Sequence, residues 1–267
     1  STVGQDIDSE IYDPASDSWA VTGQLNEDRF SHSAITLSDG RVLVAGGVWG
    51  EHPQLEAVES VEVFDPVSET WAVIDSLKGM RLQPGLANLT DGTTVIVGAR
   101  EVTRFDPVAD VLRRAAPLPD EWQQPIAVTL DDGRVLMAGI ADGTMTLLWN
   151  PANGRWTRAD PHQTQRSEAT ATQHATGLVL VAGGYGGGDT ALRLTEFFDP
   201  ADLSWRTGSA LVHGRLSHTA TVLDDGRLVV IGGINNESGP YFTSIEEVEV
   251  LTRPSTPPRG IGGRITP

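Results

Sequence analysis

The chain has 267 residues, and its 36 acidic against 19 basic side chains give a formal net charge of −17. The apolar fraction of 39%, together with 29 glycines, is typical of a globular protein that buries a core. A net charge this negative argues against nucleic acid as a partner. No apolar run reaches the roughly 18 residues that membrane insertion requires. The absence of cysteine excludes disulfides, thiolate metal sites and cysteine nucleophiles. No targeting segment is recognisable, so we expect a soluble protein of unassigned compartment.

Two short motifs recur along the chain with one set of irregular spacings. The first is a tight-turn glycine, usually after aspartate, followed by an apolar run that ends in glycine. Its terminal glycines are residues 46, 98, 139, 183 and 232, at steps of 52, 41, 44 and 49. The second is an aromatic residue followed by Asp-Pro or Asn-Pro, and its Asp or Asn residues are 13, 65, 106, 150 and 199, at the same steps. Shared irregular spacing indicates an internal repeat rather than chance.

Each repeat is predicted to contain four β-strands. Residues 33–37 alternate in polarity, Asp39-Gly40 is a tight-turn signal, and residues 41–45 form an apolar run typical of a strand covered on both faces. The Asp-Pro pair then ends a third strand, because proline cannot donate a hydrogen bond to a sheet. A large apolar residue six positions after the Asp opens the fourth strand. Four strands in 41 to 52 residues predict the blade of a β-propeller.

The glycine pair after the second strand, the aromatic-Asp-Pro triplet after the third and the tryptophan of the fourth resemble kelch repeats over about residues 9–252. The resemblance implies an all-β, kelch-type β-propeller of four-stranded antiparallel blades over residues 1–252, with a Pro/Gly-rich tail or linker over 253–267. Gly98-Ala99 and Gly139-Ile140 keep one glycine, and Leu112 replaces the tryptophan in one repeat.

The number of blades and the closure of the ring follow less directly from the repeats. Five copies of the first hairpin predict five blades, and a ring of six blades is the alternative. Residues 10–25 are expected to supply third and fourth strands that close the ring against the last blade. Residues 245–251 also read as a third strand for that blade, so two segments compete for one position.

A candidate binding site comes from one register position just before each innermost strand. The repeat steps place Arg29, Arg81, Trp122, Arg166 and Arg215 there, which predicts a positive ring suited to carboxylates and other oxyanions. The alternative is that such arginines anchor the loop to a carboxylate or carbonyl of a neighbouring blade. In the animal kelch adaptors that the sequence resembles, arginines at such positions meet acidic peptides, which implies this role for the four arginines but not for Trp122.

Exposed aromatic residues are expected in the loops on the same face. Trp49, Tyr185 and Tyr241 follow second strands, and aromatic rings beside polar groups suit peptide or sugar stacking. The alternative for each ring is simple packing on its own loop.

Three hypotheses of function follow. The first is a binding module that recognises an acidic peptide, protein or anionic small molecule at the arginine-lined mouth of the channel. The second is a bacterial kelch-fold enzyme of the isomerase, epimerase or cyclase type, acting on a carbohydrate or natural-product intermediate, with Glu168 and His32 or His218 as general acid and base. The third is a structural spacer in a larger protein. We expect no metal or cofactor: no zinc signature appears, and the crosslinking cysteine of galactose oxidase-type enzymes has no counterpart.

Overall fold

The computed structural model describes residues 8–50, 54–79, 82–140, 144–186, 190–236 and 242–251. All regular secondary structure in these ranges is β, and no helix that could span a membrane occurs in them. The strands are β1 (Asp8–Asp13), β2 (Ser18–Gln24), β3 (Ser33–Thr36), β4 (Val42–Ala45), β5 (Val48–Trp49), β6 (Glu56–Ala57), β7 (Ser60–Asp65), β8 (Thr70–Ser76), β9 (Gly85–Asn88), β10 (Thr94–Val97), β11 (Glu101–Asp106), β12 (Val111–Pro117), β13 (Gln123–Thr129), β14 (Val135–Ile140), β15 (Thr146–Asn150), β16 (Arg155–Arg158), β17 (Arg166–Ser167), β18 (Thr170–Gln173), β19 (Val179–Ala182), β20 (Tyr185–Gly186), β21 (Thr190–Ala191), β22 (Thr195–Asp199), β23 (Ser204–Thr207), β24 (Thr219–Val222), β25 (Leu228–Ile231), β26 (Ile234–Asn235), β27 (Thr243–Ser244) and β28 (Glu249–Leu251).

Five main antiparallel sheets follow one another along the chain, one for each repeat. Their strand orders are β3-β4-β7-β8 (sheet I), β9-β10-β11-β12 (sheet II), β13-β14-β15-β16 (sheet III), β18-β19-β22-β23 (sheet IV) and β24-β25-β28 (sheet V). The prediction of an all-β fold with four-stranded antiparallel units is therefore confirmed for the first four repeats. Short ribbons in the connecting loops, such as β5-β6 and β26-β27, complete the described strands.

The recurrent Asp-Pro or Asn-Pro pair has a local cause in the turn between the third and fourth strands. The side-chain oxygen of Asp65 accepts a hydrogen bond at 2.8 Å from the backbone N–H of Val67, two residues on. Asp106 and Asn150 accept the equivalent bonds at 3.0 and 2.9 Å. Such a side chain substitutes for a backbone turn, and proline presets the next φ angle. The third strand therefore ends at the same register position in each of these repeats.

The core consists of four layers, each formed between consecutive sheets. In the first layer, Leu43, Ala45, Val61 and Val63 of sheet I pack against Ile96 and Phe105 of sheet II. Equivalent clusters join sheets II and III, III and IV, and IV and V. Because second strands such as β10 and β19 pack against a sheet on each side, all four of their residues are buried. This packing explains why their sequences are continuously apolar rather than alternating.

The expected closure by the N-terminal strands is not what the structure has. Strand β25 pairs with β24 on one side and β28 on the other, so a C-terminal segment fills the third position of sheet V. The β1-β2 hairpin forms a sheet of its own and contacts β8 instead, with Trp71 Nε1 donating to Ser9 Oγ at 2.9 Å. The nearer segment prevails because β28 closes a much shorter loop onto β25 than β1 would. The predicted tail, residues 253–267, lies outside the described residues, and the boundary at 252 stays a prediction.

Two glycines with left-handed backbones provide a test of how closely the loops approach the sheets. Gly47 has φ +99°, and a Cβ there would lie 2.7 Å from the Phe30 carbonyl oxygen. Gly40 has φ +90° but open space around it. We expect Gly40→Ala to cost about 1 kcal/mol from backbone strain alone. Gly47→Ala should cost about 2 kcal/mol more, because the carbonyl must also move.

Chemical denaturation of the two variants and the wild type measures this difference. Equal losses of unfolding free energy in both variants would contradict the close approach at Gly47.

Candidate functional site

The innermost strands of the five main sheets line one cavity. Strands β3, β9, β13, β18 and β24 all contribute to its wall, and its volume is about 440 Å³. The wall is formed largely by small side chains such as Ala34, Ala127 and Ala171, which leave the space open. A volume of this size lies in the usual range for small-molecule sites.

Four polar residues, Gln83, Gln124, Glu168 and Ser217, line one end of this cavity, and Ser31 takes the same position in the first repeat; we call these five residues the mouth ring. They occupy one register position, two residues after the predicted arginine positions, and all have left-handed φ angles between 39° and 53°. The backbone N–H of Gln83 donates to the Ser31 carbonyl at 3.0 Å, and that of Ser217 donates to the Glu168 carbonyl at 3.2 Å. The Ser217 hydroxyl also donates to the Glu168 carboxylate. The ring thus links neighbouring sheets through both backbone and side chains.

The arginines that precede the mouth ring are buried and paired. Arg29 and Glu62 form an ion pair at 2.6 Å, and both side chains are fully inaccessible to solvent. The pairs Arg166–Glu196 and Arg215–Glu249 repeat this contact in sheets IV and V. Each guanidinium also donates to the carbonyl of the first glycine of the pair after the second strand: Gly46, Gly183 or Gly232.

The charged state of these pairs is supported by the hydrogen bonds to Glu249. Burial raises the pKa of this carboxyl, but the backbone N–H groups of Val212 and His213 and the Arg215 guanidinium outweigh burial and leave the pKa below its usual value. A buried guanidinium is costly unless a carboxylate compensates its charge. The third strand of each of these sheets supplies that carboxylate.

Sheet III replaces the ion pair by an apolar contact. Trp122 stands at the arginine position, Leu147 stands at the glutamate position, and both belong to one buried cluster. Trp122 is therefore a core residue and not a stacking surface. Arg81 lies outside the described residues, and Thr103 occupies the glutamate position of its sheet.

The arginine-lined mouth expected from the sequence is corrected by this geometry. The guanidinium groups of Arg29, Arg166 and Arg215 point into their own sheets, where an anionic ligand would have to displace a glutamate. They anchor the loops before the innermost strands, as the alternative held, but the carboxylate belongs to the same sheet and not to a neighbouring blade. The signal that was missed is a glutamate three residues before the aspartate of the Asp-Pro pair in repeats I and IV, where Glu62 and Glu196 stand.

Large, partly exposed apolar side chains lie on loops near the mouth-ring positions in the chain. Phe30, Trp49, Leu82 and Phe242 are between 38% and 46% exposed, and we call them the apolar rim. Phe30 and Leu82 directly precede mouth-ring residues, and the bridge between Phe30 and Val48 brings Trp49 to the same face. The Phe242 ring lies 5.9 Å from that of Tyr185, whose strand β20 pairs with β17 beside Glu168. Tyr241 lies outside the described residues, and ligand binding by Trp49 and Tyr185 stays a prediction.

The expected acid and base residues do not form a catalytic pair. His218 is buried, with Nε2 2.9 Å from Thr170 Oγ1, and burial together with the Arg215 charge lowers its pKa to about 4. Such an imidazole is neutral near pH 7. Among the described residues no hydrogen bond joins Glu168 to His218 or to the exposed His32, and no metal-binding group of three acidic or histidine side chains is found.

Comparison with known proteins agrees with the repeat pattern. The family model described as "Kelch motif" matches residues 29–78. Kelch-like protein 35 of Mus musculus is 30% identical over 134 residues, which cover 50% of this chain and 22% of that protein. These two matches make the chain similar to kelch-repeat proteins over part of its length. Galactose oxidase of Gibberella zeae is 34% identical over 70 residues, or 26% of the chain and 10% of that enzyme. The chain thus matches less than a quarter of the length of either relative.

The buried ion pairs of this protein predict a large effect of neutralising one partner. Glu196→Gln leaves the Arg166 guanidinium buried without a counter-charge, so we expect a loss of about 3 kcal/mol or more in unfolding free energy. The matched control is Glu121→Gln, which breaks the exposed Arg100–Glu121 pair and should cost less than about 1 kcal/mol. Urea unfolding measures both. Equal, small losses would mean that Arg166 is not held by Glu196.

The lowered pKa of His218 predicts a dependence of stability on pH. The folded-state pKa of about 4 lies below the ordinary 6.5, so the unfolded chain takes up a proton first as the pH falls. The stability that neutral His218 provides is therefore complete above pH 6.5 and declines toward pH 4, by up to about 1.4 kcal/mol per pH unit.

His218→Gln removes this titration, so its stability should fall less than that of the wild type over the same interval. The control is Val67→Gln at a 93% exposed position, which carries no titratable group and should follow the wild type. Urea unfolding at half-unit pH steps gives the comparison. Parallel curves for wild type and His218→Gln would contradict the buried neutral imidazole.

Proposed function

We propose that this kelch-repeat protein is a non-catalytic binding module, in which the five main sheets are five consecutive blades of a β-propeller and a protein partner binds at the mouth of the cavity. The observation that carries the proposal is the apolar rim, whose four partly exposed side chains lie on loops that also hold amide, hydroxyl and carboxylate groups at the cavity. Exposed apolar side chains that anchor a partner beside polar groups that orient it are the usual composition of a protein interface.

The same geometry favours a partner segment that is not acidic. The arginines that suggested an anionic ligand are paired with glutamates inside the sheets, and Glu168 is the charged member of the mouth ring. The net charge of −17 repels acidic segments at long range. We therefore propose a neutral or basic peptide segment with an apolar anchor, whose backbone amides and carbonyls bond to the Gln83, Gln124 and Ser217 side chains.

A second candidate, an enzyme acting on a carbohydrate, has support in the cavity of about 440 Å³ and in the partial likeness to galactose oxidase. Glu168 is then the acid or base, since it lines the cavity, whereas His218 is neutral and bonded to Thr170. A Glu168→Gln variant that loses turnover but retains protein binding would favour this candidate.

The binding proposal is tested with variants on the two faces of the molecule. Phe30→Ser combined with Trp49→Ser removes two members of the apolar rim. The matched control, Val67→Ser with Val108→Ser, removes two apolar side chains that are 93% and 94% exposed on the turns between third and fourth strands. Proteins retained by wild-type chain are identified, purified and titrated against each variant by calorimetry.

We expect the rim variant to bind the purified partner at least about tenfold more weakly, since each buried aromatic anchor is worth 1 kcal/mol or more. The control variant should bind as the wild type does. Loss of binding in the control with full binding in the rim variant would place the interface on the opposite face and contradict the proposal.

A further inference from the structure

Another cavity lies beside the β5-β6 ribbon of the first repeat. Its volume is about 370 Å³, and the described residues that line it include Glu27, Asp28, Trp49 and Glu56. No lysine, arginine or histidine is found among those described lining residues, so the three carboxylates make the cavity negative. Its volume lies within the usual range for small-molecule sites. A group that enters this cavity is therefore expected to be a cation.

The β5-β6 ribbon puts an aromatic ring and a carboxylate on one face. Trp49 and Glu56 are paired directly across its two strands. Residues paired in this way have their side chains on the same face of the sheet, with Cβ atoms about 5 Å apart. The Glu56 side chain is exposed and has no hydrogen-bond or ion-pair partner within the described part of the chain. The ribbon thus offers an aromatic surface with an unpaired negative charge beside it.

The Asp28 carboxylate is the feature that points most directly to a ligand. Its Oδ1 atom is buried and accepts no hydrogen bond. The residue also has no ion-pair partner in the ranges that the structure describes. A buried carboxylate oxygen without a donor is costly, and folded proteins rarely leave such a group unpaired. Asp28 is thus a ready acceptor for a donor that comes from outside the chain.

The loop that carries Asp28 is held rigidly on both sides of it. The backbone N–H groups of Asn26 and Glu27 donate to the Glu62 carboxylate at 2.8 and 3.2 Å. The next residue, Arg29, forms the buried ion pair with the same glutamate. The Asp28 side chain takes part in none of these contacts. The position of its carboxylate is therefore fixed before any ligand binds, which lowers the entropy cost of binding.

The other repeats show that neither Asp28 nor Trp49 is needed to build this part of a sheet. Repeats IV and V have no acid and no aromatic ring at the equivalent positions, where they have Gln165, Gly186, Gly214 and Asn235. Both repeats nevertheless form the buried arginine–glutamate pair and a short loop ribbon. The acid and the ring are thus additions of the first repeat, and binding gives them a role that folding does not.

The arrangement of the carboxylates favours an organic cation over a metal ion. In the described residues no three acidic or histidine side chains are close enough together to hold a metal. A guanidinium is planar, has donors that reach more than one carboxylate, and stacks on the face of tryptophan. A lysine ammonium is a compact, strongly hydrated point charge that matches separated acceptors less well. The chemistry of the cavity is therefore that of a guanidinium site.

We propose that the cavity beside the β5-β6 ribbon binds a guanidinium group, with Asp28 and Glu56 as its carboxylate acceptors and Trp49 as its stacking surface. The guanidinium is that of an arginine in the protein partner, so this site rests on the proposed function. Because Trp49 belongs to the apolar rim as well as to this cavity, one partner segment reaches both. The arginine enters beside the ribbon while the apolar anchor contacts the rim.

The site is tested with N-acetyl-arginine amide, which is titrated into the full chain while the backbone amide signals are followed by NMR. We expect saturable binding that Asp28→Asn weakens at least about tenfold and Trp49→Leu about fivefold. The matched control is Asp224→Asn, which removes the same charge from an exposed residue between β24 and β25 and should leave the affinity unchanged. N-acetyl-citrulline amide has the same shape without the charge and should not bind.

Three outcomes would overturn the site. They are an Asp28→Asn variant that binds the arginine amide as the wild type does, equal affinities for the lysine and arginine amides, and tighter binding of free arginine than of the amide. The last result would identify a free amino acid, and not a partner side chain, as the ligand.

Leu82→Ser separates this site from the proposed function, because it changes the apolar rim in another repeat. It should weaken binding of the purified partner and leave binding of the arginine amide unchanged. Partner binding that Leu82→Ser weakens and Asp28→Asn retains would overturn the guanidinium site alone. Partner binding that Leu82→Ser retains, with amide binding lost in Asp28→Asn, would count against the proposed function and support the site.

Discussion

A small antiparallel sheet with two apolar faces is not stable on its own in water, and the fold depends on this constraint. A four-stranded blade buries one face on the preceding sheet and the other on the following sheet, so each sheet needs two neighbours. Where both neighbours are present, the second strand is buried at every residue, as in β10 and β19. Where one is lacking, as for β25, Ile231 is half exposed although its counterpart Ala45 is fully buried. The continuous apolar sequence of the second strand thus reflects its burial between two sheets.

The buried ion pair and the glycine pair belong to one structural unit. Sheets I, IV and V have both, and in each the guanidinium donates to the carbonyl of the first glycine and to the glutamate of the third strand. Sheet III has neither: Gly139 is followed by Ile140, and Trp122 packs with Leu147. Replacing a whole buried pair by well-packed apolar side chains is near neutral, whereas removing one partner is costly. The arginine, the glutamate and the glycine pair are therefore kept together or replaced together in these repeats.

The sequence predicted the repeats, the four-strand unit and the register positions, because turn residues and apolar runs act locally. It did not predict the direction of the arginine side chains, since a register position does not say whether a loop residue turns inward. That direction is set by Glu62 and its counterparts, which lie 33, 30 and 34 residues from their arginines. The competition between β1 and β28 was visible in the sequence, but its outcome rests on loop closure. The mouth ring was missed because Ser31, Gln83 and Gln124 carry no mark of a left-handed backbone, as glycine would.

The mouth ring is the part of the structure in which local strain and side-chain chemistry coincide. A left-handed conformation costs a non-glycine residue about 1 kcal/mol, and five equivalent positions adopt it. A turn alone would be made at lower cost by glycine, which the same chain uses at position 40 and its equivalents. The strained positions instead have hydroxyl, amide or carboxyl side chains at the edge of the cavity. Strain of this kind persists where the surrounding structure holds it, and here the bridges of Phe30 to Val48 and Leu216 to Ile234 do so. Polar groups held rigidly beside exposed aromatic rings lose little entropy when a partner binds, which favours recognition at this mouth over the opposite face.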